Sequence, residues 1–346
     1  MQSLYLRITA SGGAEGFYGP IDPETTWVIN EMLKPAIIGQ DAFSPTMIWD
    51  RLDRLDRHAR HGHFKMGVSA IDNALWDLKG RVLGLPVWQL LGGSIQRAKI
   101  PAYVSTLGTP LDRETVQDFA KHLADEGFQG QKWFPAAGPW DGVAGLERNV
   151  DLIEWVRQAV GPYHDIMVDA FHSWDLAFAT AWVRRVEHLR PTWLEEPVSQ
   201  SQYPAFRELA RRTSIPLTGG EHLYERAELK QYLDDGVMSV VQADPEWCGG
   251  ITELTRIAAL ADTYGVPSIP HGHGLHSAIH LIASQSAAVC PKVEYLIQVM
   301  PERHNFELNP PTPVNGFFDL PDEPGFGIDL DESKIDSRFI LKHGGI

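Results

Sequence analysis

Cysteine is nearly absent. The 346 residues include two, Cys248 and Cys290, with no CxxC pair, which excludes a disulfide framework and a cysteine-rich zinc site. Basic residues are outnumbered: 30 Lys and Arg face 45 Asp and Glu, a formal net charge of −15. A nucleic-acid backbone needs a basic surface, so nucleic acid is excluded as a partner. An anionic small molecule is not excluded, because a bound cation can dominate the field inside a cleft. No apolar run approaches the roughly 18 residues of a membrane span. Residues 1–10 show no basic stretch leading into an apolar one. The expectation is a soluble, cytoplasmic chain with no membrane partner.

What is present divides the chain. Residues 1–99 mix a short strand at 4–8 with helices at 24–33, 45–58 and 66–82. In the last of these Ile71, Ala74, Leu75 and Leu78 recur at helical spacing, and Gly84 and Pro86 stop it. From residue 100 short β-branched or aromatic runs alternate with amphipathic helices. Strands are predicted at 101–105, 130–134, 165–171, 192–196, 216–220, 238–242, 266–270 and 293–297. Helices are predicted at 113–126, 146–160, 177–188, 203–212, 226–235, 250–264 and 275–288. Eight strands with seven intervening helices predict an α/β fold, a modified (β/α)7β TIM-like barrel over 100–320. Residues 1–99 form an α+β capping domain, to which a tail over 321–346 returns.

The predicted strand ends carry Lys132, Asp169, Glu195, Glu221, Asp244, His271 and Glu294, spaced by 23 to 37 residues, about one βα unit each time. In a barrel of this kind the carboxyl ends of the strands converge on one mouth. A single acid after a strand is usually a helix cap or a solvated loop residue. Three acids on consecutive strands at nearly equal spacing are a stronger signal. Three carboxylates without thiolate or HxxxH spacing match a hard cation such as Mg²⁺, and their summed charge would be intolerable in a dry cleft without one.

These residues resemble the enolase superfamily, and within it the mandelate racemase-like branch. Residues 69–80 (SAIDNALWDLKG) and 90–93 (LLGG) resemble that branch's capping domain. Val168-Asp169-Ala170, Trp193-Leu194-Glu195-Glu196-Pro197 and Gly219-Gly220-Glu221-His222 resemble its three metal-ligand strand ends. The resemblance implies Mg²⁺ held by Asp169, Glu195 and Glu221. Glu195 is chosen over Glu196 because the ligand in that pattern lies two before the proline. Within the branch, Glu221-His222, Asp244, His271 and Glu294 look closest to acid-sugar dehydratases of the rhamnonate dehydratase kind. Asp244 and His271 would form a dyad in which the carboxylate orients the imidazole and raises its basicity. Racemase-type members carry a second lysine two positions after the first, where Phe134 stands here. The position two after Asp169, an amide in some of them, is Phe171.

The resemblance therefore implies one-sided proton abstraction next to a carboxylate by His271, followed by loss of the 3-hydroxyl of a sugar acid to give a 2-keto-3-deoxy acid. Glu294 would hydrogen-bond the developing oxyanion if protonated, or substrate hydroxyls otherwise. Lys132 would touch the substrate carboxylate, or else pair with a metal-site acid. His222 and His63 are candidate substrate-binding residues; His222 could instead only brace Glu221, and His63 lies in a stretch that also reads as a solvated turn. Trp174 and Trp247 either wall the pocket or pack. The alternatives are a cycloisomerase using the same base, a racemase or epimerase, and a non-catalytic regulator on this scaffold. A homo-oligomer is expected on the resemblance alone.

Overall fold

The computed structural model describes residues 2–341. Two short strands, β1 (Leu6–Thr9) and β2 (Glu15–Tyr18), form an antiparallel hairpin. Helix α1 (Pro23–Trp27) runs through a π turn (Val28–Leu33) into α2 (Lys34–Ile37). Pro35 lacks the N–H that would close a regular turn there, and the widened turn absorbs that loss. Then come α3 (Pro45–Asp53), the long α4 (His63–Leu83) and the single turn α5 (Val87–Leu90). One face of α4 buries Val68, Ile71 and Leu75 against Leu33, Ile48 and Leu52. The helix ends at Gly84, whose φ of +68° is the left-handed cap glycine adopts cheaply.

The second part is built on a curled parallel sheet. Its strands are β3 (Lys99–Ser105), β4 (Gly130–Trp133), β5 (Asp165–Asp169), β6 (Trp193–Glu195), β7 (Leu217–Gly219), β8 (Val240–Val241) and β9 (Val293–Leu296). They pair in chain order from β3 to β8, and β9 pairs back onto β3. Between them run α6 (Arg113–Asp125), α7 (Gly142–Val160), α8 (Leu176–Val186), α9 (Tyr203–Ala210), α10 (Arg226–Asp234), α11 (Ile251–Asp262) and α12 (Leu275–Ser284), followed by the short α13 (Met300–Arg303). Strands with helices outside are buried on both faces, so they read as nearly continuous apolar runs. The side chains of Asp112 and Asp175 cap α6 and α8 by accepting from Thr115 and Phe178 backbone N–H groups.

The (β/α)7β order stands, with differences in detail. The seventh barrel strand, predicted at 266–270, is reduced to a single bridge between Ser268 and Val241. Pro267 and Pro270 flank it, and neither can donate to a ladder. Strands β2 and β10 (Phe317–Asp319) were not predicted; each has three or four residues, too few for a periodic signal. β10 pairs antiparallel with the start of β3. Beyond it, Phe326 and Ile328 pack with Tyr18, Ala74 and Val87, and Asp77 accepts from the Phe326 N–H at 2.8 Å. Helix α3 stops five residues short of the predicted 58, and α7 starts at Gly142 rather than 146.

The seam between α4 and residues 245–252 is polar, and the polar side chains of Ser69, Asp72 and Asn73 are paired across it. Asn73 donates to Pro245 O at 3.3 Å and accepts from Ile251 N at 2.9 Å. Asp72 accepts from Thr252 N and Oγ1 at 2.9 and 2.7 Å. Ser69 accepts from Gly249 N, and Trp49 donates to Gly249 O. Gly249 and Gly250 both have positive φ, and a Cβ on Gly250 would stand 2.4 Å from the Asp72 carboxylate. Only glycine admits this approach.

Candidate active site at the carboxyl ends of the strands

Side chains two apart on a strand share a face. Tyr103, Met167, Trp193, Val240 and Ile269 form a small apolar cluster inside the sheet. Two residues further along the same segments stand Ser105, Asp169, Glu195, Gln242 and His271. The floor is thus apolar and the next layer polar, and that layer opens at the carboxyl ends of the strands, where barrels of this class carry their chemistry.

Asp169 and Glu195 are register partners on β5 and β6, and Glu221 lies two residues beyond β7. Lys132 of β4 stands among the acids. Its Nζ is 2.9 Å from both Glu195 oxygens, 2.8 Å from Glu294 and 3.4 Å from Asp169. Burial opposes its charge, but Glu195 and Glu294 outweigh burial and hold it protonated. Gln242 donates to Glu195 at 2.7 Å. Glu294 also accepts from Ser105 Oγ, and from Gly272 N at 2.9 Å. Burial would raise its pKa, but Lys132 and His271 bring it down to about 2. Its contacts with Ser105, Gly272 and Lys132 are all ones in which it accepts.

Asp244 and His271 meet at 2.9 Å between Oδ2 and Nδ1. The other imidazole nitrogen, Nε2, lies 3.1 Å from Glu221 Oε2. Burial disfavours the charged ring, but Glu221, then the bond to Asp244, raise the His271 pKa to about 10. Glu196 faces away from Lys132. Its Oε2 is 2.5 Å from His172 Nε2 and 2.9 Å from His222 Nδ1. Against burial, those two bonds keep Glu196 ionised, and the bond from His172 to Glu196 lifts His172 to about 9. Phe171, His172 and Glu196 all adopt positive φ, a costly conformation that the surrounding bonds must enforce.

Whether a cation fits is decided by the carboxylates. Asp169, Glu195, Glu196, Glu221, Asp244 and Glu294 are all buried, with one lysine among them. Burial and mutual repulsion raise Glu195 and Glu221 to about 8 even with Lys132 and His271 in place. Glu221 Oε2 is buried without a well-aligned hydrogen-bond donor. A group of oxygens this short of positive charge and donors suits a hard divalent cation, and Asp169, Glu195 and Glu221 are the residues that could hold it.

Aromatic rings wall the site. Trp247 lies 4.9 Å from the His271 ring, 5.3 Å from His273 and 5.6 Å from His222, centroid to centroid. Its indole N–H and the Thr25 hydroxyl are buried without partners, and both border a cavity of about 10 Å³ between cap and barrel. Opposite, Phe134 stacks on Phe171 at 5.0 Å. His63 does not join this geometry: it is the exposed first residue of α4, with no hydrogen bond or ion pair among the described residues. Its neighbour His61 reaches Glu228 at 3.2 Å instead. Ser105, His172 and Gln242 escaped the sequence reading. The alternation along the strands could have found Ser105 and Gln242; His172 sits in a strained turn that no period marks.

With fold and site together, the chain belongs to the enolase superfamily. Residues 115–334 match the family described as enolase C-terminal domain-like, and residues 3–92 match the mandelate racemase / muconate lactonizing enzyme N-terminal domain. Among individual proteins it is 33% identical to L-rhamnonate dehydratase of Saccharopolyspora erythraea, over 95% of this chain and 83% of the relative. The structure of rhamnonate dehydratase from Gibberella zeae complexed with Mg superposes with a TM-score of 0.86 at 30% identity, over 95% of this chain and 80% of that one. The 3,6-anhydro-D-galactonate cycloisomerase of Zobellia galactanivorans superposes at 0.84 with 31% identity, over 95% and 92%.

Proposed function

We propose that the protein is a Mg²⁺-dependent acid-sugar dehydratase. It abstracts the proton next to the carboxylate of a sugar acid and eliminates the 3-hydroxyl to give a 2-keto-3-deoxy acid. The observation that carries this is the one-sidedness of the mouth. A histidine oriented by Asp244 stands beside the carboxylate group on one side, and the Phe134–Phe171 stack occupies the lysine and amide positions on the other.

Asp169, Glu195 and Glu221 would hold the cation. When bound, it supplies fixed positive charge where negative charge develops on the substrate's carboxylate group. Nε2 of His271 lies 3.1 Å from Glu221 Oε2, so the base stands beside the residues that would hold the cation. His271 then takes the C2 proton at Nε2, while Asp244 keeps the Nδ1–H in place and stabilises the imidazolium. Protonated His271 returns its proton to the departing 3-hydroxyl. Lys132 stays charged and orients Glu195 and Glu294. His222, braced by Glu196, and the free Trp247 N–H face substrate hydroxyls.

The test is a panel of 6-deoxyhexonates, with L-rhamnonate first, then other hexonates, pentonates and aldarates. Each is incubated with Mg²⁺ and followed for 2-keto acid formation and for solvent deuterium at C2. Keto acid from at least one member is expected. A cycloisomerase is the second reading, favoured by the 31% identical neighbour that acts on an anhydro sugar acid. Ring opening of an anhydro acid or lactone without keto acid from any hexonate would establish it instead. Absence of both turnover and exchange would point to a non-catalytic regulator.

A further inference from the structure

A second group of ligating side chains is buried away from the dyad, where α12, α13 and the tail meet. His276 lies in the first turn of α12, His304 caps α13, and Glu307 follows it and bridges Leu330 of the tail. Their exposures are 5, 2 and 1%. Glu307 spans the two rings, with Oε2 2.9 Å from His276 Nε2 and Oε1 2.6 Å from His304 Nδ1. The rings stand edge to face, 4.9 Å apart. One ligand atom from each residue falls within 4.8 Å of the other two. Two polar atoms nearby are buried without partners: the far nitrogen of His304, Nε2, and the hydroxyl of Tyr5, which lies in the field of Glu307.

We propose that His276, His304 and Glu307 form a binding site for a transition-metal dication, Zn²⁺ by preference, separate from the all-oxygen set of the mouth. Two imidazoles and one carboxylate are the borderline donors Zn²⁺ favours, whereas Mg²⁺ takes oxygen. Burial holds His304 below the ordinary histidine range. Against burial, His276 and His304 bring Glu307 down to about 2. A neutral imidazole takes the metal at the nitrogen facing Glu307 by carrying its single ring proton on the other nitrogen, so the bond to Glu307 is exchanged for the bond to the metal. The preceding Arg303 lines an open cavity of about 520 Å³ with Gln2, Ser3 and Pro20. A bound metal would tie α12 to the segment that follows α13.

The full-length chain, stripped of metal and then saturated with Mg²⁺, is titrated with Co²⁺ and read by visible d–d absorption. A parallel sample dialysed against Zn²⁺ is counted by elemental analysis. One cobalt with a low-symmetry band, or one zinc, is expected per chain, with a rise of about 5 °C in the thermal midpoint at saturating metal. Glu221→Gln should keep the band; His276→Gln and Glu307→Gln should lose it. No band and no zinc in the Mg²⁺-saturated wild type overturns the proposal without reference to any variant. A band undiminished in His304→Gln, or lost in Glu221→Gln, overturns it by moving the metal elsewhere.

Discussion

The seam beneath α4 and the mouth of the barrel are both buried and both rich in polar side chains, yet they are built oppositely. At the seam Asp72, Asn73 and Ser69 meet donors and acceptors from 245–252 one for one. At the mouth, acids outnumber cations, Glu195 and Glu221 are pushed to about 8, and a Glu221 oxygen has no well-aligned hydrogen-bond donor among the described residues. Buried polar groups that complete each other hold two domains in register. Buried polar groups left incomplete store unfavourable energy that a ligand can relieve.

The largest effect that would break this contrast concerns the mouth. His271→Asn should lower C2 proton exchange by about 10³-fold or more, while the thermal midpoint moves little. Exchange at the wild-type rate would remove His271 as the base. At the seam the pattern should invert. Asn73→Ala strips partners from Ile251 N–H and Pro245 O and should cost about 2–3 kcal/mol in denaturant unfolding, with kcat of the folded protein unchanged; a kcat loss matching that of His271→Asn would erase the distinction. Glu221→Gln sharpens it further. Removing a carboxylate crowded by Glu196, Asp169 and Glu195 should stabilise the metal-free protein by about 1 kcal/mol while abolishing stabilisation by Mg²⁺. Destabilisation of the metal-free form would show that the mouth is as self-sufficient as the seam.

A further effect is one of pH at the seam, spread over about three units. Burial raises Asp72 from 3.8 to about 7 against the bonds from Thr252. Over that interval the folded protein holds a proton the unfolded chain has released. Asp72 therefore makes stability fall as pH rises from about 4 to 7, by at most ~1.4 kcal/mol per unit. Chemical unfolding of Asp72→Asn across that range should lack this component; an unchanged profile would mean that Asp72 is ionised in the fold.

Much of this architecture was legible in one dimension. The alternation of runs after residue 100 gave the barrel order, since a periodic element announces itself when it is long enough to repeat. The seventh strand shrank to one bridge because prolines flank it, and β2 and β10 are too short to show a period. In the site, the regular spacing of Asp169, Glu195, Glu221, Asp244 and His271 reflects one βα unit per strand. Gln242 was readable from its place two after Val240, yet an amide in an apolar run gives no chemical signal of its own. His63 was chosen for its chemistry in a plausible loop, and the start of α4 turns it to solvent.

The sequence by itself determined which residues stand at the carboxyl ends of the strands, because a period of two and a repeat of one βα unit are properties of the chain. Only the tertiary structure decided how those residues share charge. Lys132 bridges Glu195 and Glu294, Glu196 turns from its neighbour to hold His172 and His222, and Trp247 lies against three imidazoles. Those partners come from different strands and loops, and whether a buried charge is satisfied depends on through-space distance, which spacing along the chain does not encode.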